Sequence, residues 1–270
     1  MSQPVAAERQ IPFKGRADAG VCGKPKHKTQ IGMLQWPLAF AIYNRLRSGV
    51  DTVKDALSKL KIIFADIKIQ HTLFALPFAV MSAFLAAEGM PKPEKLGWIL
   101  LAMFGARNSA MAFNRIVDSR YDAANRRTRD RALPSGKIGV ELYWVFLAAS
   151  AALFVFASAM LNHLALVLSP LALLIVFFYS FTKRFTSFSH VFLGVALAVA
   201  PVGAWVAIRE EISLLSLVLA AAVLFWLTGF DIIYSCLDVE FDAQNNLFSM
   251  PRKFGVERAL KFAYLSHAVM

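Results

Sequence analysis

The sequence predicts an all-α protein built as a multi-span transmembrane helical bundle. Three observations carry this. The chain is 57% hydrophobic and only 17% charged, with mean hydropathy +0.53, which is too apolar for a water-soluble domain of 270 residues. Apolar runs recur along it, each close to the ~20 residues that a bilayer core demands. Lysine and arginine fall mainly between those runs and crowd one end of them.

Taken in order, residues 1–32 are polar, basic and aperiodic, and read as disordered. They lack the tripartite pattern of a signal peptide. The apolar run Met33–Tyr43 contains Pro37 and is too short to span. From Val50 to Asp66 the pattern is amphipathic, with Val53, Leu57, Leu60 and Phe64 on one face and Lys54, Asp55 and Lys61 elsewhere. It reads as an interfacial helix lying on the membrane, or as a loose leader without defined contacts. Residues 1–60 are thus expected to form an N-terminal extension, and 61–270 the transmembrane domain.

Spans are expected over about 69–87, 96–117, 140–161, 164–181, 190–208 and 212–237, with a seventh beginning near Val256. Pro77, Gly105, Gly194 and Gly203 are tolerated there, because membrane helices accept helix breakers and small residues allow close packing. Connections at one end carry thirteen basic residues: Arg115, Arg120, Arg126, Arg127, Arg129, Arg131, Lys137, Lys183, Arg184, Arg252, Lys253, Arg258 and Lys261. The other end carries three, Lys92, Lys95 and Arg209. The positive-inside rule then puts the first end, with the N-terminus, in the cytoplasm. The excess of positive charge is read first as topology and only then as affinity for an anion.

Two acidic stretches lie at that same end. Asn114, Asp118 and Asp122 fall at i, i+4 and i+8, and share one face of a helix. Asp231, Tyr234, Asp238 and Asp242 fall at i, i+3, i+7 and i+11, again on one face. Paired carboxylate faces suit divalent cations that hold a diphosphate. Mg²⁺ takes oxygen ligands and is usually bound by one or two carboxylates plus water and substrate phosphates. The plain alternative is a set of loop acids paired with neighbouring arginines. Two regular motifs at helix ends on one membrane side argue against it. Arg127, Arg131, Tyr179, Lys183 and Arg184 are candidate phosphate ligands, since guanidinium forks and an ammonium suit phosphate oxygens. Arg126, Arg129, Lys137 and Arg258 read as topology determinants. Arg107 lies inside the second span, where a charge is costly, so it should face the bundle interior and find a partner there: a carbonyl of a neighbouring helix, or an anionic ligand. The two cysteines and five histidines form no disulfide or zinc pattern.

These residues resemble the UbiA superfamily of membrane prenyltransferases, and within it the 4-hydroxybenzoate polyprenyltransferases of ubiquinone and menaquinone biosynthesis. The resemblance rests on Asn114-Arg115-x-x-Asp118-x-x-x-Asp122, Arg127-Thr128-x-x-Arg131-x-Leu133-x-x-Gly136, Tyr179-x-x-x-Lys183-Arg184 and Asp231-x-x-Tyr234-x-x-x-Asp238-x-x-x-Asp242. His71–Pro77 and Pro201–Trp205 also look like family segments. The resemblance covers about residues 61–270 and implies nine helices around a central cavity, of which this sequence holds about six and the start of a seventh. The last two helices of that fold are absent from this sequence, which reads as a fragment or a truncated gene model. It implies Mg²⁺ at Asn114, Asp118 and Asp122 and at Asp238 and Asp242. It further implies that Asp118, Asp122, Asp231, Asp238, Asp242 and Lys183 carry catalysis, with Asn114, Arg107, Arg127, Arg131, Tyr179, Arg184 and Tyr234 binding substrate. The implied partners are a polyprenyl diphosphate, an aromatic acid and the lipid bilayer of a bacterial inner membrane. No nucleic acid and no obligate protein partner is inferred.

Two other readings compete. One keeps the fold and changes the acceptor, to haem, homogentisate, dihydroxynaphthoate or a chlorophyllide. A cation transporter is the non-enzymatic alternative, but transport carboxylates usually sit near the bilayer midplane rather than at span ends beside arginines.

Overall fold

Apolar runs flanked by charge become long helices here because backbone groups in lipid must find their partners within the segment. In a computed structural model, the described residues are 47, 54–67 and 76–270. The expectations for the polar leader, for Met33–Tyr43, for the start of the first span and for His71–Ala75 lie outside them. Lys54–Met270 forms one compact unit.

Helix α1 covers 54–66. It is followed by α2 (Leu76–Ala87), α3 (Pro93–Ala124), α4 (Val140–Leu161), α5 (His163–Thr182), α6 (Ser189–Arg209) and α7 (Leu214–Ser235). A 3₁₀ turn (Cys236–Asp238) leads into α8 (Val239–Gln244), α9 (Met250–Phe254) and α10 (Val256–Val269). Among the described residues five helical segments are long and apolar enough to cross a membrane: α3 to α6 and the continuous stretch Leu214–Gln244. The third expected span agrees with α4 at both ends, and the fourth and fifth agree with α5 and α6 to within a residue or so. The second runs longer than expected. Polar residues after Val117 do not end α3, and Arg115 and Arg120 belong to the helix rather than to a loop.

The outer faces are those of a lipid-solvated protein. On α5, Leu171, Leu174 and Phe178 are exposed while Ser169, Ser180 and Thr182 are buried. Water would not tolerate that arrangement, whereas hydrocarbon does. Inside, α3 packs on α4, α2 and α7 on α6, and α10 on α7. Glycine permits two of these approaches. A Cβ on Gly105 would lie 2.7 Å from the Phe154 backbone nitrogen, and one on Gly194 would lie 2.6 Å from the Leu224 carbonyl oxygen.

Helix α1 departs from the expected interfacial face. Ile63 and Ile67 are buried against Ala112 of α3 and Tyr143, Phe146 and Leu147 of α4, with Leu60 and Phe64 alongside. Leu57 is exposed. The apolar side of α1 therefore packs on protein, one position round from the side the periodicity selected.

Candidate active site

The chain reverses between α3 and α4, α5 and α6, and α7 and α10, so that both acidic motifs and their basic neighbours meet at one end of the bundle. There they cap a cavity of ≈ 840 Å³ whose deeper wall includes Ile99, Leu161, Ala200, Gly203 and Val206. Every candidate side chain named from the sequence lines this cavity.

The first motif occupies the last turns of α3. Asn114 donates to Asp118 Oδ2 at 2.8 Å. Asp122, nearly buried, accepts both of its short bonds from Arg131 Nη1, at 2.7 and 2.6 Å. The loop that carries Arg131 is held by its own turns. Asn125 Oδ1 accepts from Arg127 N at 2.9 Å, and Gly136 takes a left-handed φ of 72° that favours glycine.

The second motif does not form one continuous helical face. The 3₁₀ turn at Cys236–Asp238 separates Asp231 and Tyr234 on α7 from Asp242 on α8. At about 3.0 residues per turn the chain rotates further per residue than an α-helix does, so the sequence spacing no longer sets the angle. Asp231 turns to α6, where His190 Nδ1 lies 2.6 Å from its Oδ2. His190 is fully buried, and its Nε2 accepts from Met250 N at 3.4 Å. With Nε2 accepting, Nδ1 carries the proton and donates to Asp231.

Cations join the two motifs. Arg127 reaches from the loop to Asp238 with Nε at 3.3 Å and Nη2 at 2.6 Å, and lies over the Tyr234 ring at 5.4 Å. Burial pulls the Arg127 guanidinium down, but its bonds to Asp238 outweigh this and hold its pKa above the ordinary value. Arg184 donates to the Val117 carbonyl at 2.8 Å and to Asp118 Oδ1 at 3.4 Å, stacked near Tyr121 and Phe181. Lys183 makes no side-chain hydrogen bond or ion pair among the described residues, yet its charge reaches Asp118, Asp231 and Asp242.

Of the two partners expected for Arg107, an interhelical carbonyl is not found among the described residues. Among the described residues its guanidinium makes no hydrogen bond or ion pair, and it faces the cavity. By helical rise it stands ~10 Å deeper than Asn114.

The donor set suits a hard divalent cation. Asn114, Asp118, Asp122, Asp238 and Asp242 offer only oxygen, and Asp242 Oδ2 is buried without a hydrogen bond of ordinary geometry, though Ser249 is near enough to influence it. Among the described residues no three acidic, histidine or cysteine side chains enclose a metal by themselves. Mg²⁺ does not need them to, because it keeps water and substrate phosphate in its shell. Three of the carboxylates, Asp118, Asp122 and Asp238, are meanwhile bonded to arginines rather than bare.

Sequence patterns gave no sign of two participants. His190 was one of five scattered histidines, and Asp66 closed an amphipathic stretch read as an interfacial helix or a loose leader. Neither partner lies within a helical turn of it, which is the range over which periodicity informs.

The profile of the UbiA prenyltransferase family matches residues 75–270. The chain is 31% identical over 191 residues to a 4-hydroxybenzoate octaprenyltransferase of Marinobacter nauticus, covering 70% of this chain and 65% of that one. It is 32% identical over 195 residues to the enzyme of that name from Polynucleobacter asymbioticus, covering 72% and 67%. The chain thus spans about two thirds of the length of these relatives. Among solved structures, an apo UbiA homologue from Aeropyrum pernix is 36% identical with a TM-score of 0.70, over 74% of this chain and 76% of that one. A UbiA homologue from Archaeoglobus fulgidus, bound to GPP and Mg²⁺, shares the fold at 23% identity and a TM-score of 0.63, over 77% and 74%. On the family match, the relatives and the shared fold, the chain belongs to the UbiA prenyltransferase family.

Proposed function

We propose that the protein transfers a polyprenyl group from its diphosphate to the carbon ortho to the hydroxyl of 4-hydroxybenzoate, or of a close aromatic acid, with Mg²⁺, in quinone biosynthesis at a bacterial inner membrane. The single observation that supports this best is the convergence of both acidic motifs and their cations over an apolar cavity that holds one deep arginine. The names of the curated relatives and the GPP and Mg²⁺ of the Archaeoglobus fulgidus homologue agree with it.

In this reading Asn114, Asp118 and Asp122 hold one Mg²⁺, and Asp238 and Asp242 another. The bound metal supplies positive charge for a diphosphate whose allylic C–O bond is breaking. Arg127, Arg131, Lys183 and Arg184 add hydrogen bonds as the electron pair moves onto the leaving oxygen. Tyr179 and Tyr234 line the approach between the motifs. The prenyl chain runs down the apolar wall, which keeps water from the allylic cation. Arg107 receives the acceptor's carboxylate in a two-point fork. The ring carbon attacks the allylic carbon, and its proton then leaves to Asp231, whose Oδ2 is held by His190. The motif end faces the cytoplasm, where the positive-inside count puts it.

Membranes containing the protein, incubated with radiolabelled 4-hydroxybenzoate, a polyprenyl diphosphate and Mg²⁺, are expected to yield a labelled lipid. Transfer to homogentisate or dihydroxynaphthoate instead would reassign the acceptor. Diphosphate binding without transfer to any acceptor would overturn the proposal.

A further inference from the structure

Asp66 closes helix α1 outside the segment 75–270 that matches the family. Its side chain is only 4% exposed, as is that of Arg115 on α3. Oδ2 accepts from Arg115 Nε at 3.1 Å and from the Tyr143 hydroxyl at 2.6 Å. Oδ1 accepts from the Ala132 backbone N–H at 2.8 Å, and the Asp66 carbonyl accepts from Arg115 Nη2 at 3.1 Å. One residue thereby joins α1, α3, α4 and the loop between α3 and α4.

One of these attachments, Arg115, lines the cavity itself, and another, Ala132, lies one residue from a lining side chain. Arg115 follows Asn114, and its Nη1 reaches Asn114 Oδ1 at 3.4 Å. Ala132 follows Arg131, which holds Asp122. Asp66 itself does not line the cavity. We propose that Asp66 is a positioning residue: it neutralises Arg115 and pins the loop at Ala132, so that Arg115 does not compete for Asn114, Asp118 and Asp122, the groups that would serve a Mg²⁺–diphosphate. The physical reason is competition. A buried guanidinium without its counter-ion seeks the next carboxylate, and the nearest acids along α3 are Asp118 and Asp122. Helix α1, which the sequence presents as a leader, is then part of the architecture of the site. This rests on the proposed function insofar as it names Mg²⁺ and a diphosphate.

The test uses the full chain in detergent. Asp66→Asn keeps an acceptor for Ala132 but removes the charge opposite Arg115. Asp66→Asn/Arg115→Met removes both charges. The first readout is the Mg²⁺ concentration at half-maximal thermal stabilisation in the presence of a prenyl diphosphate. It should rise about 10- to 100-fold in Asp66→Asn, the range for residues that support metal ligands from behind. It should return toward wild type in the double variant, while the KM for the aromatic acid stays unchanged in both. The second readout needs no ligand: trypsin should cut the loop at Arg126, Arg129 or Lys137 faster in Asp66→Asn, measured at a fixed interval below each variant's own Tm. A lower Tm with an unchanged Mg²⁺ midpoint and unchanged cutting would overturn the proposal and leave Asp66 a packing residue. If the wild type shows no Mg²⁺-dependent stabilisation, the functional reading fails, and the trypsin comparison alone decides whether Asp66 positions the loop. Should Asp66→Asn not fold, Tyr143→Phe removes one of its donors at constant size. It should move both readouts in the same direction, and no movement would overturn the proposal.

Discussion

Replacing Arg107 separates an arginine kept for a ligand from one kept for the fold. Its guanidinium lies ~10 Å below Asn114 on α3 and has no protein hydrogen bond or ion pair among the described residues. An arginine at such depth costs ~2.5–3.5 kcal/mol on insertion scales, less where it meets a polar cavity. Among the described residues no hydrogen bond or ion pair offsets that cost, so Arg107→Met should stabilise the protein. At about 2–4 °C per kcal/mol for a chain of roughly this size, the gain is several degrees in Tm. The same variant should lose affinity for the aromatic acid. The conservative Arg107→Lys keeps the charge and forfeits the fork. Losing one charged hydrogen bond is worth about 1.5–3 kcal/mol, which corresponds to about a ten- to hundredfold rise in KM for 4-hydroxybenzoate. The KM for the prenyl diphosphate should scarcely move. Steady-state transfer assays with each substrate varied in turn, beside thermal unfolding in detergent, measure all of this. If Arg107→Met lowers Tm and Arg107→Lys changes neither KM, Arg107 is structural and the assignment is wrong.

Three further outcomes are expected. Asp118→Ala and Asp238→Ala should each abolish transfer while the protein remains in the membrane, since each removes a carboxylate from a proposed metal site; full activity in either, by the same radiolabel assay, would defeat the two-motif reading. Lys183→Ala should slow kcat, because the ammonium offsets charge that grows as the C–O bond breaks, and a change in protein abundance alone would reduce Lys183 to a topology signal. Gly194→Val should destabilise the bundle by about 1–3 kcal/mol, because its Cβ would stand 2.6 Å from the Leu224 carbonyl oxygen and force α6 from α7; an unchanged Tm would mean that this crossing is loose.

The helices were legible from the sequence because each is decided locally. Hydropathy over about twenty residues sets a span, and a period of about 3.6 residues sets which side chains share its face. That is why Val140–Leu161 agrees at both ends, and why Asn114, Asp118 and Asp122 line one wall of the cavity as spaced. The candidate ligands were legible for a related reason. Carboxylates and arginines at the ends of apolar runs are costly enough to stand out against the composition around them.

What the sequence left open is which of these groups meet. Arg127 binds Asp238 111 residues away, Arg115 binds Asp66 49 residues away, and Asp231 binds His190 41 residues away. No local period links positions so far apart; the packing of α1 on α3 and α4, and of α6 on α7, brings them together. Tertiary structure also broke the second motif. The 3₁₀ turn at Cys236–Asp238 separates Asp231, held by a histidine, from Asp242, buried beside the next helices. The same packing turned α1 inward, because Ile63 and Ile67 bury more apolar surface against Tyr143 and Phe146 than Leu57 does at the exposed edge. Sequence alone thus determined the spans and the kinds of side chain at their ends, since both are properties of contiguous chain. Only the folded bundle decided the pairings, since ion pairs and buried hydrogen bonds depend on distances that chain order does not encode.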